Sequence, residues 1–76
     1  MKTKGFATSD SVNIKTAVGF QPDWIYIGTG GTMVIHTDVG DDVTITVYDG
    51  TWWPGDNILH VNATNTSATG FIAWQE

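Results

Sequence analysis

Two histidines are the side chains in this chain best suited to hold a metal ion. His36 and His60 fall in separate strand-like segments, so they could meet only across a sheet. Imidazole is a common zinc ligand, but a catalytic zinc site also needs a third protein ligand, here an aspartate from a loop. The sequence offers no spacing that supplies one. We therefore expect the two histidines to face a neighbouring subunit rather than a metal.

Three aspartates in one loop are the second candidate cluster. Asp38, Asp41 and Asp42 could offer carboxylates to calcium, but their spacing differs from the alternating acidic loop of calcium-binding hands, and no bidentate Glu follows. Aspartates also form local hydrogen bonds in turns. The sequence thus predicts a solvated turn and no metal.

No residue pattern predicts catalysis. The serines lie in turn-like segments without the context of a nucleophile, and the glycines of 28–31 do not precede a helix that could hold a phosphate. Two segments, Asn62-Ala63-Thr64 and Asn65-Thr66-Ser67, match the acceptor pattern for N-glycosylation. This modification occurs on secreted proteins, and the first four residues are not followed by the apolar core of a secretion signal. We expect a protein that is not an enzyme and has no cofactor.

Aromatic side chains give the sharper candidate site. Trp52 and Trp53 are adjacent in a predicted loop, and neighbouring side chains of an extended chain point in opposite directions. Exposed aromatic side chains anchor protein interfaces or stack on sugar rings. Contact with a subunit or another protein is favoured over sugar. The predicted contact residues are Trp52, Trp53, Tyr48, His36 and His60.

The segments that must position these residues predict an all-β protein. No stretch has the 3.6-residue apolar period of a helix, whereas two-residue alternation and turn signals recur along the chain. We expect about six antiparallel strands in a small sandwich or flattened barrel, jelly-roll-like and without a helix. The segment 24–27 is apolar on both faces, which predicts either a central strand or a strand covered by another subunit.

Two hairpins are predicted from turn residues. The glycines of 28–31 predict a hairpin that joins 24–27 to 32–37. The stretch 61–75 reads as a closing hairpin around a Thr-rich turn, with the C-terminus inside the fold. Residues 1–11 are interpreted as a flexible N-terminal arm, and residues 12–76, which open on an alternating strand 12–20, as a single β-domain. The predicted core is Val12, Ile14, Trp24, Tyr26, Ile35, Val43, Ile45, Val47, Val61, Ile72 and Trp74.

Composition limits the partners. The 76 residues carry a formal charge of −5, with three basic and eight acidic residues, and no cysteine. A chain without a basic patch is a poor match for nucleic acid or an anionic membrane. Only 14% of the residues are charged, where soluble proteins average about 25%. A small, weakly charged domain without disulfides is expected to cover part of its surface by oligomerisation.

Two blocks of the sequence resemble a known family. The first is Phe20-Gln-Pro-Asp-Trp-Ile-Tyr-Ile-Gly-Thr-Gly-Gly31. The second is Val61-x-Ala63-Thr64-x-Thr66-x-Ala68-Thr69-x-x-Ile72-Ala73. Both are similar to the head-spike base proteins of phages and gene transfer agents. The resemblance implies a virion structural protein on the outside of a capsid that assembles as a ring or trimer and carries a fibre or receptor-binding spike.

The leading hypothesis is thus a non-enzymatic virion protein, a head-spike base or decoration subunit, made in the host cytoplasm and located in the virion. Its expected partners are copies of itself, as a trimer or pentamer, and the major capsid protein or a spike fibre. The alternatives are a carbohydrate-binding module that uses Trp52 and Trp53, and a tail or baseplate structural module.

Overall fold

The fold contains seven short strands and one helical turn, joined by loops. The computed structural model describes all residues from 1 to 76. In chain order the elements are β1 (Lys2–Gly5), α1 (Ile14–Val18), β2 (Trp24–Thr29), β3 (Gly31–Thr37), β4 (Asp42–Val47), β5 (Thr51–Pro54), β6 (Ile58–Val61) and β7 (Thr69–Gln75).

The strands form two antiparallel sheets that pack face to face. One sheet has the order β1-β7-β2-β5 and the other the order β4-β3-β6. The sheets remain separate and do not close into a barrel. The prediction of a small all-β sandwich is confirmed, with seven strands instead of about six. No helix of the structure is long and apolar enough to cross a membrane.

The predicted hairpin between β2 and β3 is wrong, because these strands belong to different sheets. β2 pairs with β5 and β7, while β3 pairs with β4 and β6. The chain passes from one sheet to the other at Gly30. A Cβ at this position would lie only 2.5 Å from the carbonyl oxygen of Val47, so the crossing requires a glycine.

The predicted closing hairpin is also wrong. β6 lies in the three-stranded sheet, whereas β7 lies between β1 and β2 in the other sheet. The loop between them runs beside β3 beyond the end of β6. Its Thr66 Oγ1 accepts a bond from the Val34 N–H at 3.0 Å, and its Ser67 Oγ accepts one from the Thr32 N–H at 2.9 Å. The Thr-rich stretch therefore completes the edge of β3.

The N-terminal residues differ from the predicted arm. Lys2–Gly5 is a strand paired with β7, from Lys2 opposite Gln75 to Gly5 opposite Ile72. Phe6 continues this contact, and its ring stacks on Phe71 with centroids 5.5 Å apart. Residues 2–6 therefore belong to the four-stranded sheet, within the part of the chain that was predicted to be a flexible arm. The lysines and threonine give little local strand signal, and β7 supplies the pairing.

The predicted strand at 12–20 is wrong, because no residue of this segment belongs to a strand and its centre forms the short helix α1. Ile14 and Val18 are four residues apart, a spacing that suits one face of a helix as well as one parity of a strand. The helix ends at Gly19, which has φ of 89° and donates its N–H to the Lys15 carbonyl oxygen at 2.9 Å. Ile14 is buried, and Val12 before the helix is 50% exposed.

The core fills the space between the two sheets. Of the predicted core residues, four lie buried, namely Ile14, Ile35, Val47 and Val61, and three are partly buried, namely Tyr26, Ile45 and Trp74. Four are exposed and were assigned to the core wrongly: Val12, Trp24, Val43 and Ile72. The apolar cluster instead draws on residues that the prediction omitted, namely Phe20, Ile25, Ile27, Met33, Ile58, Ala68, Phe71 and Ala73.

Candidate binding surface

The outer surface of the four-stranded sheet is lined with aromatic side chains. In β2, Ile25 and Ile27 point inward and are fully buried. Alternation along a strand then directs Trp24 and Tyr26 to the outside. Trp24 is 41% exposed although its neighbour Ile25 is at the centre of the core.

The neighbouring strands extend this surface. Trp24 is paired with Trp74 of β7, and Tyr26 lies between Trp52 of β5 and Ile72 of β7. Paired residues of adjacent strands point to the same side of a sheet. We call the outward set Trp24, Tyr26, Trp52, Ile72 and Trp74 the aromatic face.

The rings of the aromatic face contact one another at angles rather than in flat stacks. Tyr26 and Trp52 have centroids 5.1 Å apart and planes inclined by 59°. Trp52 meets Trp74 edge to face, with centroids 6.4 Å apart. Trp24, Trp52 and Trp74 line an open cup of about 440 Å³. Tilted and edge-to-face pairs are favourable, so the indoles hold one another in place.

An exposed surface of this kind suits contact with another molecule. Trp52 is 49% exposed and Ile72 38% exposed, beside Trp24. A contiguous exposed apolar patch is a usual sign of an interaction site. Tryptophan and tyrosine are also enriched among the residues that contribute most to protein interfaces. The aromatic face therefore has the exposure and the composition of an interaction surface.

The predicted contact residues occupy different parts of the fold. Trp52 points outward, while Trp53 lies on the opposite side of β5 and packs against the core. Tyr48 is 75% exposed in the turn that joins β4 to β5 and is not part of the aromatic face. Trp24 and Trp74 belong to the predicted core, but Trp24 is exposed and Trp74 is only partly buried. The signal that could have placed them outside was their alternation with Ile25 and Ala73, which are wholly buried.

The two histidines come together on the outer side of the three-stranded sheet. His36 of β3 is paired with His60 of β6, and their rings stack with centroids 4.7 Å apart and planes inclined by 13°. His36 is partly exposed and His60 is buried. The Nδ1 atom of His60 and the Oδ1 atom of the neighbouring Asn62 have no hydrogen-bond partner within the chain.

One aspartate of the predicted turn joins the histidine pair. The Asp42 Oδ1 lies 2.7 Å from the His36 Nδ1. This hydrogen bond holds the pKa of the Asp42 carboxyl below its usual value. Asp38 and Asp41 lie exposed in the turn before β4. No group of three or more His, Cys, Asp or Glu side chains is arranged to hold a metal ion.

A second aspartate fastens the N-terminal segment to the loop after β6. Asp10 accepts two bonds from Thr64, one from the N–H at 2.9 Å and one from the hydroxyl at 2.6 Å. The hydroxyl bond is the main reason that the pKa of the Asp10 carboxyl is lowered. Close by, the Ser9 N–H donates to the Val61 carbonyl oxygen at 2.9 Å. These bonds tie residues 9–10 to the side of β6.

The chain is similar in fold and sequence to one chain of a solved capsid structure. A chain in the structure of the capsid of a native gene transfer agent particle, computed with fivefold symmetry, is similar to this chain with a TM-score of 0.81 and 31% sequence identity. The match covers 97% of this chain and 81% of the other. No protein-family model matches the sequence. No curated protein matches it either.

Proposed function

This chain belongs to the virion structural proteins of phages and gene transfer agents, and we propose that it is a head-spike base or decoration subunit on the outside of the capsid. In this proposal the subunit self-associates and either anchors a fibre or stabilises the shell. It performs no chemical reaction.

The observation that carries the proposal is the aromatic face. Three of the four tryptophans of the chain are displayed on one side of the sandwich, where they line an open cup. An isolated domain gains nothing in stability by exposing Trp24 and Trp52, because burial of aromatic surface is among the largest favourable contributions to folding. A virion protein that covers this face would recover that contribution on assembly.

Composition supports the same proposal. Charged residues are depleted at the centres of protein interfaces, and this chain has 14% charged residues. A domain of 76 residues also buries a smaller fraction of its surface than a larger one, so contact with a shell or fibre adds to a modest core. The low charge content and the small core are therefore more typical of a subunit in a particle than of a free monomer.

The experiment compares particle incorporation of two variants. Trp24→Ser/Trp52→Ser removes two indoles from the aromatic face, and Val39→Ser removes an apolar side chain that is 78% exposed in the turn before β4. Circular dichroism should show both variants folded. In purified particles, quantitative mass spectrometry should find the double variant lost and Val39→Ser retained. Normal incorporation of the double variant would refute the role of the aromatic face.

A glycan-binding module is the second candidate, because indoles that line a cup can stack on sugar rings. Sites for small ligands also carry a few placed polar groups that fix orientation, and here tryptophans alone line the cup. This composition favours a protein surface. Glycan-array binding that disappears in Trp24→Ser/Trp52→Ser, with incorporation unchanged, would favour the sugar.

A further inference from the structure

The four sheet edges of the sandwich are not equally protected. β5 ends in Pro54, and an edge that ends in proline pairs poorly with another strand. β6 is covered, because the Ser9 N–H bonds to Val61 O and the Gln21 Nε2 bonds to Ile58 O at 3.0 Å. The edges at β4 and β1 have no such cover.

β4 has main-chain groups that point away from the sheet. In β3, the main-chain N–H and C=O groups of Thr32 and Val34 bond toward β6 and the loop after it. The main-chain groups of the alternate residues Met33 and Ile35 therefore bond toward β4. Bonded and non-bonded pairs alternate in an antiparallel ladder. Thr44 therefore directs its N–H and C=O outward, as does Thr46. No hydrogen bond outside the ladder with β3 involves a main-chain group of residues 42–47.

β1 has the same feature on the other sheet. The Phe6 N–H bonds to the Phe71 carbonyl oxygen at 3.1 Å in continuation of the β1–β7 register. By the same alternation, Thr3 and Gly5 direct their main-chain groups away from β7. No hydrogen bond outside the ladder with β7 involves residues 2–5.

The two open edges lie on opposite sides of the sandwich. Residues 48–50 lead directly from β4 to β5, which places those two strands on one side. The bond from Ser9 to Val61 ties the segment after β1 to β6, which places those strands on the other. One molecule can therefore offer both edges at once to two neighbours.

The two edges also carry opposite charges. β1 contains Lys2 and Lys4, which are two of the three basic residues of the chain. Acidic residues lie at the start of β4, where Asp38 and Asp41 precede the strand and Asp42 is its first residue. Like charges disfavour pairing of β1 with β1 and of β4 with β4, whereas β1 with β4 brings opposite charges together.

We infer that β4 of one copy pairs with β1 of the next, so that the chain assembles head to tail through a sheet shared between neighbours. This contact joins two different surfaces of the same protein, and repeated contacts of this kind close into a ring when the rotation between neighbours allows it. The inference rests on the self-association in the proposed function and names the strands that perform it.

Proline substitutions test each edge separately. Thr3→Pro removes an outward N–H from β1, and Thr44→Pro removes one from β4, while neither takes a donor from the ladder inside the sheet. Thr3→Ala and Thr44→Ala are the matched controls, since they keep the N–H. In sedimentation velocity we expect the wild type and both alanine variants to be oligomeric and each proline variant to be monomeric, with unchanged near-ultraviolet circular dichroism.

Mixing the two proline variants identifies the partner strand. Thr3→Pro retains an open β4 and Thr44→Pro an open β1, so an equimolar mixture should form a one-to-one dimer and nothing larger. Pairing of β4 with β4 predicts instead that Thr3→Pro assembles like the wild type and that the mixture contains no new dimer. That result, or a wild type that remains monomeric at low salt, would overturn the inference.

Charge reversal gives a second test that does not depend on proline. Lys4→Glu and Asp41→Lys should each shift the wild-type oligomer toward monomer at low salt, and the double variant should restore it. Equal assembly of all three would contradict the pairing. Because the aromatic face is untouched, failure of this interface leaves the particle-incorporation test of the proposed function unaffected.

Discussion

Gly28 and Gly70 face each other across β2 and β7, so closely that a Cβ on Gly70 would lie 3.2 Å from the Gly28 Cα. Gly70 also has φ of 74°, which other residues adopt only with strain. We expect Gly70→Ala to lower the free energy of unfolding by about 1–3 kcal/mol in urea titrations. Gly5→Ala is the control, because its Cβ would meet nothing closer than 3.6 Å. Equal stability of the two variants would show that the contact is not restrictive.

The neighbouring tryptophans of β5 are expected to respond differently to alanine. Trp53 packs against the core, so Trp53→Ala should cost about 3 kcal/mol of unfolding free energy. Trp52 is 49% exposed, and Trp52→Ala should cost about 1 kcal/mol through its lost contacts with Tyr26 and Trp74. Thermal and urea unfolding measure both. A larger cost at Trp52 would contradict the assignment of the two faces.

Removal of residues 72–76 is expected to unfold the domain. These residues include Ala73, which is fully buried, and most of the pairing of β7 with both β1 and β2. Deletion of residues 1–4 is the control, because it removes an edge strand that pairs on one side only. Amide dispersion in NMR spectra should collapse for the first truncation and persist for the second. A folded C-terminal truncation would show that β7 is dispensable.

Acid is expected to weaken the attachment of the N-terminal segment. The pKa of Asp10 is lowered from its ordinary value of 3.8, so its bonds to Thr64 stabilise the fold above that pH. Their contribution is lost as the pH falls below 3.8 through the folded-state pKa. Asp10→Asn should therefore show a smaller fall in stability between pH 5 and pH 2 than the wild type, measured by urea unfolding.

The control for this pH experiment is Asp56→Asn, whose carboxylate makes no hydrogen bond in the fold. It should leave the pH profile close to that of the wild type. Identical profiles for Asp10→Asn and Asp56→Asn would show that the bonds to Thr64 do not contribute to the acid sensitivity.

Local patterns in the sequence predicted β2, β3, β4, β6 and β7, but they missed β1 and β5, which were predicted as an arm and a loop, and they predicted the strand partners poorly. The alternation of Val43, Ile45 and Val47 indicates β4 because it reflects the geometry of one strand. Pairing depends on residues distant in the sequence, and turn glycines at 30–31 suit a crossing between sheets as well as a hairpin. α1 was missed because a single helical turn contains too few residues to separate the helical period from strand alternation.

The candidate surface was predicted in part. The rule that Trp52 and Trp53 cannot face the same way follows from strand geometry, and the structure places them on opposite sides of β5. The segment 24–27 was recognised as apolar on both faces, but the sequence does not say which face meets the core. Trp24 was assigned inward because large apolar residues are usually buried, a tendency that fails at an interaction surface.

The order of the strands has a mechanical consequence. Four of the six connections between successive strands cross from one sheet to the other, at β2–β3, β4–β5, β5–β6 and β6–β7. A load that pulls the two layers apart is therefore borne by covalent backbone at four points as well as by side-chain packing. The four covalent crossings keep the two sheets attached even where side-chain packing between them is lost. Two sheets that were each built from consecutive hairpins would separate once their packing failed.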